Sequence, residues 1–465
     1  MKYVSTRGAA PVLEFADVLL AGLARDGGLY VPESWPSLEP GALERFAAAS
    51  YPEIATEVMW PYVEGSLDRD TFEALVRDSY STFDTPEVTP LRDLGEGVWL
   101  LELFHGPTLA FKDVALQLVG RLFDHELRRR GERVTIVGAT SGDTGSAAIE
   151  ACRDREAIEI FIFHPAGRVS EVQRRQMTTV LSPNVHNIAI EGTFDDCQDL
   201  VKALFADEEL RDRHHLAAVN SINWARVMAQ IVYYVVAVAR LTGGAGPVAF
   251  AVPTGNFGNV FAGYAAQRMG VPISQFVVAS NRNDILTRFL STGTMTIHDV
   301  HPTLSPSMDI QVSSNLERLL FELFGRDGAQ VAELMLRFRS EGTVTIDPDL
   351  LAVLREHWSG ARVDDDTTLR VIADLYDQRG VLIDPHTAVG LGAARLRRRD
   401  PSQPMVVHAT AHPAKFPDAV QAATGIRPAL PDRLTDLFER PERYETLPAD
   451  VAVVRAHLEQ VLGGR

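Results

Sequence analysis

Short apolar runs rich in β-branched residues alternate with helix-like segments through the middle of this chain. Each run is too short for a helix, and each is followed by apolar residues at helical spacing. Parallel strands need a long crossover connection, which is usually a helix, so this alternation predicts parallel sheets with helices on their faces. The predicted strands are Val134–Val137, Ile158–Phe163, Val185–Ile190, Val248–Val252 and Phe276–Ala279.

Composition limits the classes of protein that the chain can belong to. Its 465 residues, of which 46% are hydrophobic and 23% charged, suit a globular protein of two or three domains. A formal charge of −17 argues against a nucleic-acid partner and an anionic membrane, although a local pocket can still bind an anionic substrate. The most apolar stretch, Ile231–Ala239, is too short to span a membrane, and no signal peptide is evident. We therefore expect a cytoplasmic protein.

Two cysteines and several histidines raise the question of a metal or a disulfide. Cys152 and Cys197 are far apart and lack metal-ligand spacing, so neither a disulfide framework nor a zinc site is expected. The histidines lack the helical spacing and acidic or cysteine partners of a metal site, which favours hydrogen-bonded histidines over ligands. These histidines are His105, His386, His408 and His412.

Lys112 lies between an apolar strand-like run and an apolar helix-like run. It belongs to the segment His-Gly-Pro-Thr-Leu-Ala-Phe-Lys-Asp at residues 105–113. Burial lowers the pKa of a lysine and favours the neutral amine, which can attack a carbonyl. The residue is therefore either a Schiff-base lysine for an aldehyde cofactor or a lysine whose ammonium group reaches solvent near a helix start. Lys415 is a second candidate, although no apolar helix follows it.

Two glycine-containing loops each connect a predicted strand to a helix. In the loop at 254–259, Thr-Gly-Asn-Phe-Gly-Asn, successive backbone amides and a helix N-terminus can bind a phosphate without a basic side chain. The alternative is a tight turn that binds no ligand. The loop at 139–145, Ala-Thr-Ser-Gly-Asp-Thr-Gly, has the same arrangement and suggests a second anion, carried by the substrate.

These segments together resemble one enzyme family. Residues 105–113 resemble the cofactor-lysine motif of the threonine synthases, which are pyridoxal-phosphate enzymes of fold type II. Residues 139–145, 253–259 and 409–416 resemble three further signatures of that family in the same order. Thr6-Arg-Gly8 and Asp26-Gly-Gly-Leu-Tyr30 resemble its N-terminal signature, so the resemblance covers nearly the whole chain.

The resemblance implies a fold and a domain order. We expect an α/β protein with two parallel-sheet α/β domains, similar to the tryptophan synthase β subunit, and a helical N-terminal domain. The expected parts are the helical domain at 1–97, a large cofactor-binding domain at 98–133 and 241–430, a small domain at 134–240, and a C-terminal loop and helix at 431–465. The fold of residues 297–375 is not predicted.

The resemblance also implies roles for particular residues. Lys112 would hold the cofactor and act as the catalytic base and acid, and the hydroxyl of Thr410 would face the pyridine nitrogen. Asp143 would lie near the cofactor, where the wider fold type usually has asparagine, and a carboxylate there needs a hydrogen-bond donor. The cofactor phosphate is assigned to Gly255, Asn256, Phe257, Gly258 and Asn259.

Four residues are assigned to the substrate. In the resembled family, Ser141 and Thr144 would bind the amino-acid carboxylate. A substrate phosphate needs cationic donors, for which Arg168 and Arg226 are the candidates, and either could equally be a surface arginine.

The implied activity is the conversion of O-phospho-L-homoserine and water to L-threonine and phosphate, with pyridoxal 5'-phosphate as cofactor. Two alternatives are a lyase on the same scaffold that dehydrates serine or threonine, and a non-catalytic relative that serves as a binding protein. The sequence does not specify the oligomeric state.

Overall fold

The computed structural model describes residues 1–218 and 220–463, and contacts between residues divide the chain into two compact units. The first unit comprises residues 1–115 and 221–428, and the second comprises residues 116–220 and 429–465. The chain passes from the first unit to the second within the helix Lys112–Arg130.

A six-stranded sheet forms the centre of the first unit. Five of its strands are parallel, and the edge strand Leu91–Asp93 runs antiparallel to its neighbour. The strand Val248–Pro253 is buried along its whole length because it lies inside the sheet with both faces covered. In spatial order the strands are Trp358–Arg362, Ile273–Ser280, Val248–Pro253, Met405–Ala409, Val98–Glu102 and Leu91–Asp93.

Helices surround this sheet, and two small antiparallel sheets complete the unit. One pairs Leu13–Glu14, Lys2–Ser5 and Tyr30–Pro32, and the other pairs Thr294–Thr296 with Thr343–Thr345. The helices of this unit are Phe15–Ala21, Ala42–Phe46, Tyr51–Val63, Arg69–Tyr80, Trp224–Thr242, Gly258–Arg268, Ile285–Thr292, Leu316–Leu323, Gly328–Glu341, Pro348–His357, Asp365–Arg379, Pro385–Arg397 and Pro417–Thr424, with short 3-10 turns at Pro306–Met308 and Pro413–Lys415.

The helix Trp224–Thr242 belongs to the core of the first unit. Residues 224–239 are all buried, and the helix packs against Tyr51–Val63 and Gly258–Arg268. Among the described helices, this is the one that is long and apolar enough to cross a membrane, and 83% of its apolar window is buried inside the protein. A helix that is apolar on all sides and covered by its neighbours is typical of a protein core.

The second unit is a smaller α/β layer built on a five-stranded parallel sheet. Its strands, in spatial order, are Glu445–Pro448, Val185–Glu191, Ile158–Pro165, Val134–Ala139 and Leu216–Ala217. Its helices are Asp143–Cys152, Glu171–Thr178, Phe194–Ala206, Glu208–Arg213 and Val451–Gly463, with a 3-10 turn at Asp432–Leu434.

The predicted fold class is confirmed, and the structure adds details that the sequence did not show. The N-terminal part contains a small sheet besides its helices, because Lys2–Ser5 finds an antiparallel partner in Tyr30–Pro32. The two units group Trp224–Thr242 with the first sheet and residues 429–465 with the second, which differs from the predicted limits at 240 and 430. The division into four domains stays a prediction.

Candidate active site

A rigid turn places Lys112 at the first position of its helix. The carboxylate of Asp113 accepts hydrogen bonds from the amide and the hydroxyl of Thr108, at 2.8 and 2.7 Å. Leu109 has a positive φ of 63°, and a side chain at Gly106 would come within 2.4 Å of the Asp113 Cβ. Lys112 itself is 8% exposed, and its Nζ lies 5.3 Å from the centre of the Phe111 ring. The sequence around Lys112 therefore fixes the backbone turn that carries this side chain.

The Thr410 segment lies directly beside this turn. The Phe111 amide donates to the Thr410 carbonyl at 2.9 Å, and the His412 amide donates to the Leu109 carbonyl at 3.0 Å. Thr410 is buried, at 5% exposure, just beyond the end of the strand Met405–Ala409. The structure thus brings together two residues that the sequence places about three hundred positions apart.

Lys415, the second candidate lysine, stabilises the turn at residues 108–113 through a hydrogen bond to its backbone. It has no exposed surface, and its Nζ donates to the Thr108 carbonyl at 2.7 Å. This bond stabilises the Lys112 turn and directs the Lys415 amino group at a backbone carbonyl, which does not position it as a nucleophile. The geometry therefore favours Lys112 over Lys415.

The loop at 255–259 directs its carbonyls to the protein and leaves its amides without protein acceptors. The Gly255 carbonyl accepts from the Ser313 hydroxyl at 2.6 Å, and the Asn256 carbonyl accepts from both the amide and the side chain of Asn315, at 3.0 and 2.9 Å. The helix Gly258–Arg268 begins directly after Phe257, whose φ is +65°. Among the residues that the structure describes, none accepts a hydrogen bond from the amides of residues 255–260. These amides and the helix N-terminus form a site suited to a phosphate.

Two side chains of this loop point into the protein, so only their backbone faces the anion site. Phe257 is 1% exposed and stacks on Trp358, with ring centres 5.4 Å apart. The Asn259 side-chain oxygen accepts from the Tyr233 hydroxyl at 2.6 Å and lies 3.2 Å from His408 Nδ1. Phe257 and Asn259 therefore anchor the loop to the interior of the first unit through their side chains.

His408 is a buried, uncharged ring in this supporting cluster. Burial lowers the pKa of His408 to about 3, so the ring is neutral at physiological pH. Because the Asn259 oxygen can only accept, His408 Nδ1 carries the proton and donates to it.

This burial makes the stability of the protein depend on pH. The pKa of His408 is 6.5 in the unfolded reference and about 3 in the folded protein, so below pH 6.5 the unfolded chain binds a proton that the folded chain does not. The free energy of unfolding should therefore fall by about 1.4 kcal/mol per pH unit from this residue as the pH drops from about 6 to 4. The free energy of unfolding, measured by urea unfolding at several pH values, should change less with pH in His408→Asn than in the parent protein. His357→Asn, at an exposed histidine, is the control, and an identical slope in the parent and in His408→Asn would contradict the assignment.

The other three histidines also have protein partners. His105 contacts the carboxylates of Asp84 and Glu102 at 2.8 and 2.9 Å, and His412 Nδ1 accepts from the Ala414 amide. His386 Nδ1 contacts Asp384 at 2.6 Å, and its Nε2 accepts from the Ser307 amide at 3.3 Å. Within residues 1–218 and 220–463, no three His, Cys, Asp or Glu side chains are grouped as metal ligands.

In the second unit, the loop at 141–145 is held by Thr140 and Gln173. The Thr140 hydroxyl accepts from the amides of Gly142 and Gly145, both at 2.9 Å. The Gln173 amide group donates to the Asp143 carboxylate at 2.7 Å, which supplies the donor that a carboxylate at this position needs. Ser141 is exposed and Thr144 is half-buried, so both hydroxyls remain accessible to a ligand.

The two predicted arginines occupy different environments. Arg168 is exposed in the second unit, after the strand Ile158–Pro165. Arg226 is 5% exposed on the first turn of the core helix Trp224–Thr242 in the first unit, where burial lowers its pKa to about 10. Arg226 is therefore not an ordinary surface arginine.

Several supporting residues were not predicted. Ser313 and Asn315 hold the carbonyls of the loop at 255–259, and they lie in the region whose fold the sequence left open. In the second unit, Thr140 accepts a hydrogen bond from the Gly142 amide, and Gln173 donates one to the Asp143 carboxylate. Thr140 lies inside the predicted loop at 139–145 but was given no role there, whereas Gln173, Ser313 and Asn315 are distant in sequence and give no local signal.

Comparison with known proteins agrees with this geometry. Residues 2–80 match the family model for the threonine synthase N terminus, 83–336 that for pyridoxal-phosphate-dependent enzymes, and 387–458 that for the threonine synthase C-terminal region. A threonine synthase from Pseudomonas aeruginosa is 56% identical, and the match covers 99% of this chain and 98% of that protein.

Solved structures extend the similarity to the fold. The crystal structure of a threonine synthase with bound pyridoxal phosphate, from Brucella melitensis, superposes with a TM-score of 0.97 at 51% identity and covers 99% of each chain. The structure of the yeast threonine synthase superposes with a TM-score of 0.95 at 38% identity, over 100% of this chain and 99% of that one. The family models, the related proteins and the solved structures agree over nearly the full length, so this chain belongs to the threonine synthase family of pyridoxal-phosphate-dependent lyases.

Proposed function

We propose that this enzyme forms L-threonine from O-phospho-L-homoserine and water, with Lys112 as the catalytic residue. The observation that carries the assignment is the pairing of the Lys112 turn with the Thr410 segment, through the Phe111 amide and the Thr410 carbonyl at 2.9 Å. This backbone pairing supports the proposal because Lys112, which follows Phe111, and Thr410 are both buried residues of the unit that also contains the loop at 255–259.

The residues present fit pyridoxal phosphate. The free amides of 255–260 suit its phosphate, Lys112 suits its aldehyde, and the Thr410 hydroxyl suits its pyridine nitrogen. A hydroxyl can donate to a neutral nitrogen but does not stabilise a protonated ring as a carboxylate would. When bound, the cofactor supplies a carbonyl that links to amines and a ring that delocalises the electrons released at the substrate Cα.

The protein's own part in the reaction is proton transfer, binding and orientation. Lys112 takes a proton first from Cα and then from Cβ of the substrate, the phosphate leaves from Cγ, and Lys112 then supplies a proton to Cγ. Water adds its hydroxyl group to Cβ and a proton returns to Cα, which gives threonine and phosphate. The bonds from Thr108 to Asp113 fix the turn from which the Lys112 side chain extends.

Substrate binding is assigned to the second predicted loop and two arginines. Ser141 and Thr144 would donate to the carboxylate of the amino acid, while Asp143, held by Gln173, would contact the cofactor. Arg168 and Arg226 would contribute positive charge for the substrate phosphate. The cytoplasmic location stays a prediction from the sequence.

The test is a steady-state comparison of substrates. Purified enzyme with its cofactor should release threonine and phosphate from O-phospho-L-homoserine, and it should produce far less 2-oxo acid from L-serine or L-threonine. A higher kcat/KM for serine or threonine dehydration would overturn the substrate assignment in favour of a dehydratase.

Ser141→Ala should separate substrate binding from cofactor binding. A hydrogen bond to a charged group is worth about 1.5–3 kcal/mol, so kcat/KM for O-phospho-L-homoserine should fall about tenfold to a hundredfold with the cofactor content unchanged. Ser146→Ala is the control in the same segment, because the buried Ser146 hydroxyl donates to the backbone carbonyls of Gly142 and Asp143 and is not assigned to the substrate. If Ser141→Ala instead loses cofactor and retains its KM, the loop at 141–145 does not bind the substrate.

A further inference from the structure

The first unit contains a cavity that is separate from the residues assigned to cofactor and substrate. Its volume is about 220 Å³. Its walls come from the N-terminal segment around Leu29, from the helices Ile285–Thr292, Leu316–Leu323 and Gly328–Glu341, and from residues 312–314. None of the residues assigned above to cofactor or substrate lines it.

Apolar side chains line most of the cavity, and three of them are exposed at the surface. Leu23 is 47% exposed, Ile297 40% and Val312 49%, while deeper residues such as Leu286 and Leu320 are buried. Exposed apolar residues gathered around one cavity mark a place where a ligand can bury apolar surface. An apolar cavity of about 150 Å³ can hold a benzene-sized molecule, so this one is large enough for about eight to ten non-hydrogen atoms.

The charged residues that line the cavity favour an anionic end on such a ligand. Arg7 and Glu317 neutralise each other, because Arg7 Nε and Nη2 donate to the two Glu317 oxygens at 3.0 and 2.9 Å. Arg339 also lines the cavity, is exposed, and has no ion pair or hydrogen bond with any residue that the structure describes. The lining therefore carries one unneutralised positive charge, which a carboxylate can pair with.

One wall of the cavity is also the support of the loop at 255–259. Val312, Ser313, Ser314 and Leu316 line the cavity, and the Ser313 hydroxyl donates to the Gly255 carbonyl at 2.6 Å. The adjoining Asn315 holds the Asn256 carbonyl through two hydrogen bonds. A ligand that packs against residues 312–316 therefore acts on the segment that fixes the loop amides.

We infer that this cavity binds a small apolar carboxylate, and that its occupation slows the release of the cofactor by stabilising residues 312–316. The binding itself does not depend on the role of the loop at 255–259. The effect on cofactor release rests on the proposed function, in which this loop holds the cofactor phosphate.

The first experiment measures binding of 4-methylpentanoate to the enzyme with its cofactor by isothermal titration calorimetry. Binding is expected on the order of a millimolar dissociation constant, as is usual for a ligand of this size. Met335→Trp, which fills the cavity from the helix Gly328–Glu341, should weaken binding at least about tenfold. Leu336→Trp is the matched control, because Leu336 is 69% exposed on the same helix and does not line the cavity.

The second experiment tests the charge. Arg339→Gln should weaken binding of 4-methylpentanoate about twofold to fivefold, as expected for an exposed ion pair, and should remove the preference for this acid over 4-methylpentanamide. Arg337→Gln, on the same helix and paired with Glu341, should leave that preference unchanged. An equal affinity of the parent enzyme for the acid and the amide would overturn the carboxylate assignment.

The third experiment measures the rate of cofactor release with and without 4-methylpentanoate. The expected result is a decrease of at least about twofold in the parent enzyme and no decrease in Met335→Trp. Gly258→Asp, which introduces a negative charge at the loop, tests the loop assignment separately. If this variant loses cofactor but 4-methylpentanoate leaves the release rate of the parent enzyme unchanged, the loop assignment stands. The inferred effect of the cavity on cofactor release is then overturned. If Gly258→Asp retains its cofactor, the loop assignment fails instead.

Two results would overturn the site itself. One is the absence of 4-methylpentanoate binding to the parent enzyme at millimolar concentration. The other is a dimeric parent protein that Met335→Trp converts to a monomer in sedimentation experiments while Leu336→Trp does not, since the cavity would then be covered by a second copy of the chain.

Discussion

Replacement of Lys112 by alanine should abolish threonine formation and the borohydride-reducible linkage to the cofactor. The loss in kcat/KM should be at least about 10⁴-fold, because one residue supplies both the amine that holds the cofactor and the proton transfers to the substrate. The surrounding turn is held by bonds from Thr108 to the Asp113 carboxylate and from Lys415 to the Thr108 carbonyl, and these three bonds do not involve the Lys112 side chain. The variant should therefore fold, which circular dichroism and thermal unfolding can check.

Lys415 provides the decisive comparison for this prediction. Lys415→Met removes the bond to the Thr108 carbonyl but keeps most of the side-chain volume, so it should lower stability and retain a reducible linkage at Lys112. Borohydride reduction of the parent enzyme followed by peptide mapping should label residue 112. A label on Lys415 would show that the two lysines have been assigned in the wrong order.

Replacement of Gly258 by aspartate should greatly weaken cofactor binding. The substitution places a carboxylate at the first helical position beside amides that have no protein acceptor among the described residues. A hydrogen bond to a charged group contributes about 1.5–3 kcal/mol, so the loss of two such bonds to the phosphate corresponds to about a 10²- to 10⁴-fold increase in the cofactor's dissociation constant. Cofactor content after dialysis and titration of the apoenzyme measure the effect.

Gly258→Asn is the matched control for this change. Both side chains have nearly the same shape, and both begin at a Cβ that would lie 3.3 Å from Asn315 Nδ2, so their steric cost is similar. An acidic residue near a helix N-terminus stabilises the helix, so loss of the fold does not explain cofactor loss in the aspartate variant. Equal cofactor retention in the two variants would contradict the assignment of the phosphate to this loop.

Much of the fold could be predicted because its signals are local. Five strands are rich in β-branched residues, and each is followed by a helix, so much of the two parallel sheets follows from the order of the segments along the chain. These strands are Val134–Ala139, Ile158–Pro165, Val185–Glu191, Val248–Pro253 and Ile273–Ser280. The glycine loops after Val134–Ala139 and Val248–Pro253 could be recognised for the same reason, since a strand, a loop and a helix are contiguous in sequence. Lys112 was identified by a motif of nine residues, 105–113, that is likewise contiguous.

The tertiary structure decided which residues support these local features. The bond from Lys415 to the Thr108 carbonyl spans 307 positions, and the bond from Ser313 to the Gly255 carbonyl spans 58. No periodicity or spacing encodes such contacts, because each depends on how distant segments pack. The orientation of Phe257 and Asn259 also depends on distant segments. Both residues belong to the predicted loop, but their side chains point inward because Phe257 stacks on Trp358 and Asn259 accepts a hydrogen bond from Tyr233.

The sequence by itself thus determined the local chemistry: an α/β fold, a lysine at a strand-to-helix junction and two loops suited to anions. The structure decided the grouping of elements that are distant in sequence. It placed the helix Trp224–Thr242 with the larger sheet, because its apolar sides are covered by Tyr51–Val63 and Gly258–Arg268. It also revealed the cavity beside residues 312–316, because a cavity exists only where separate helices fail to fill the space between them.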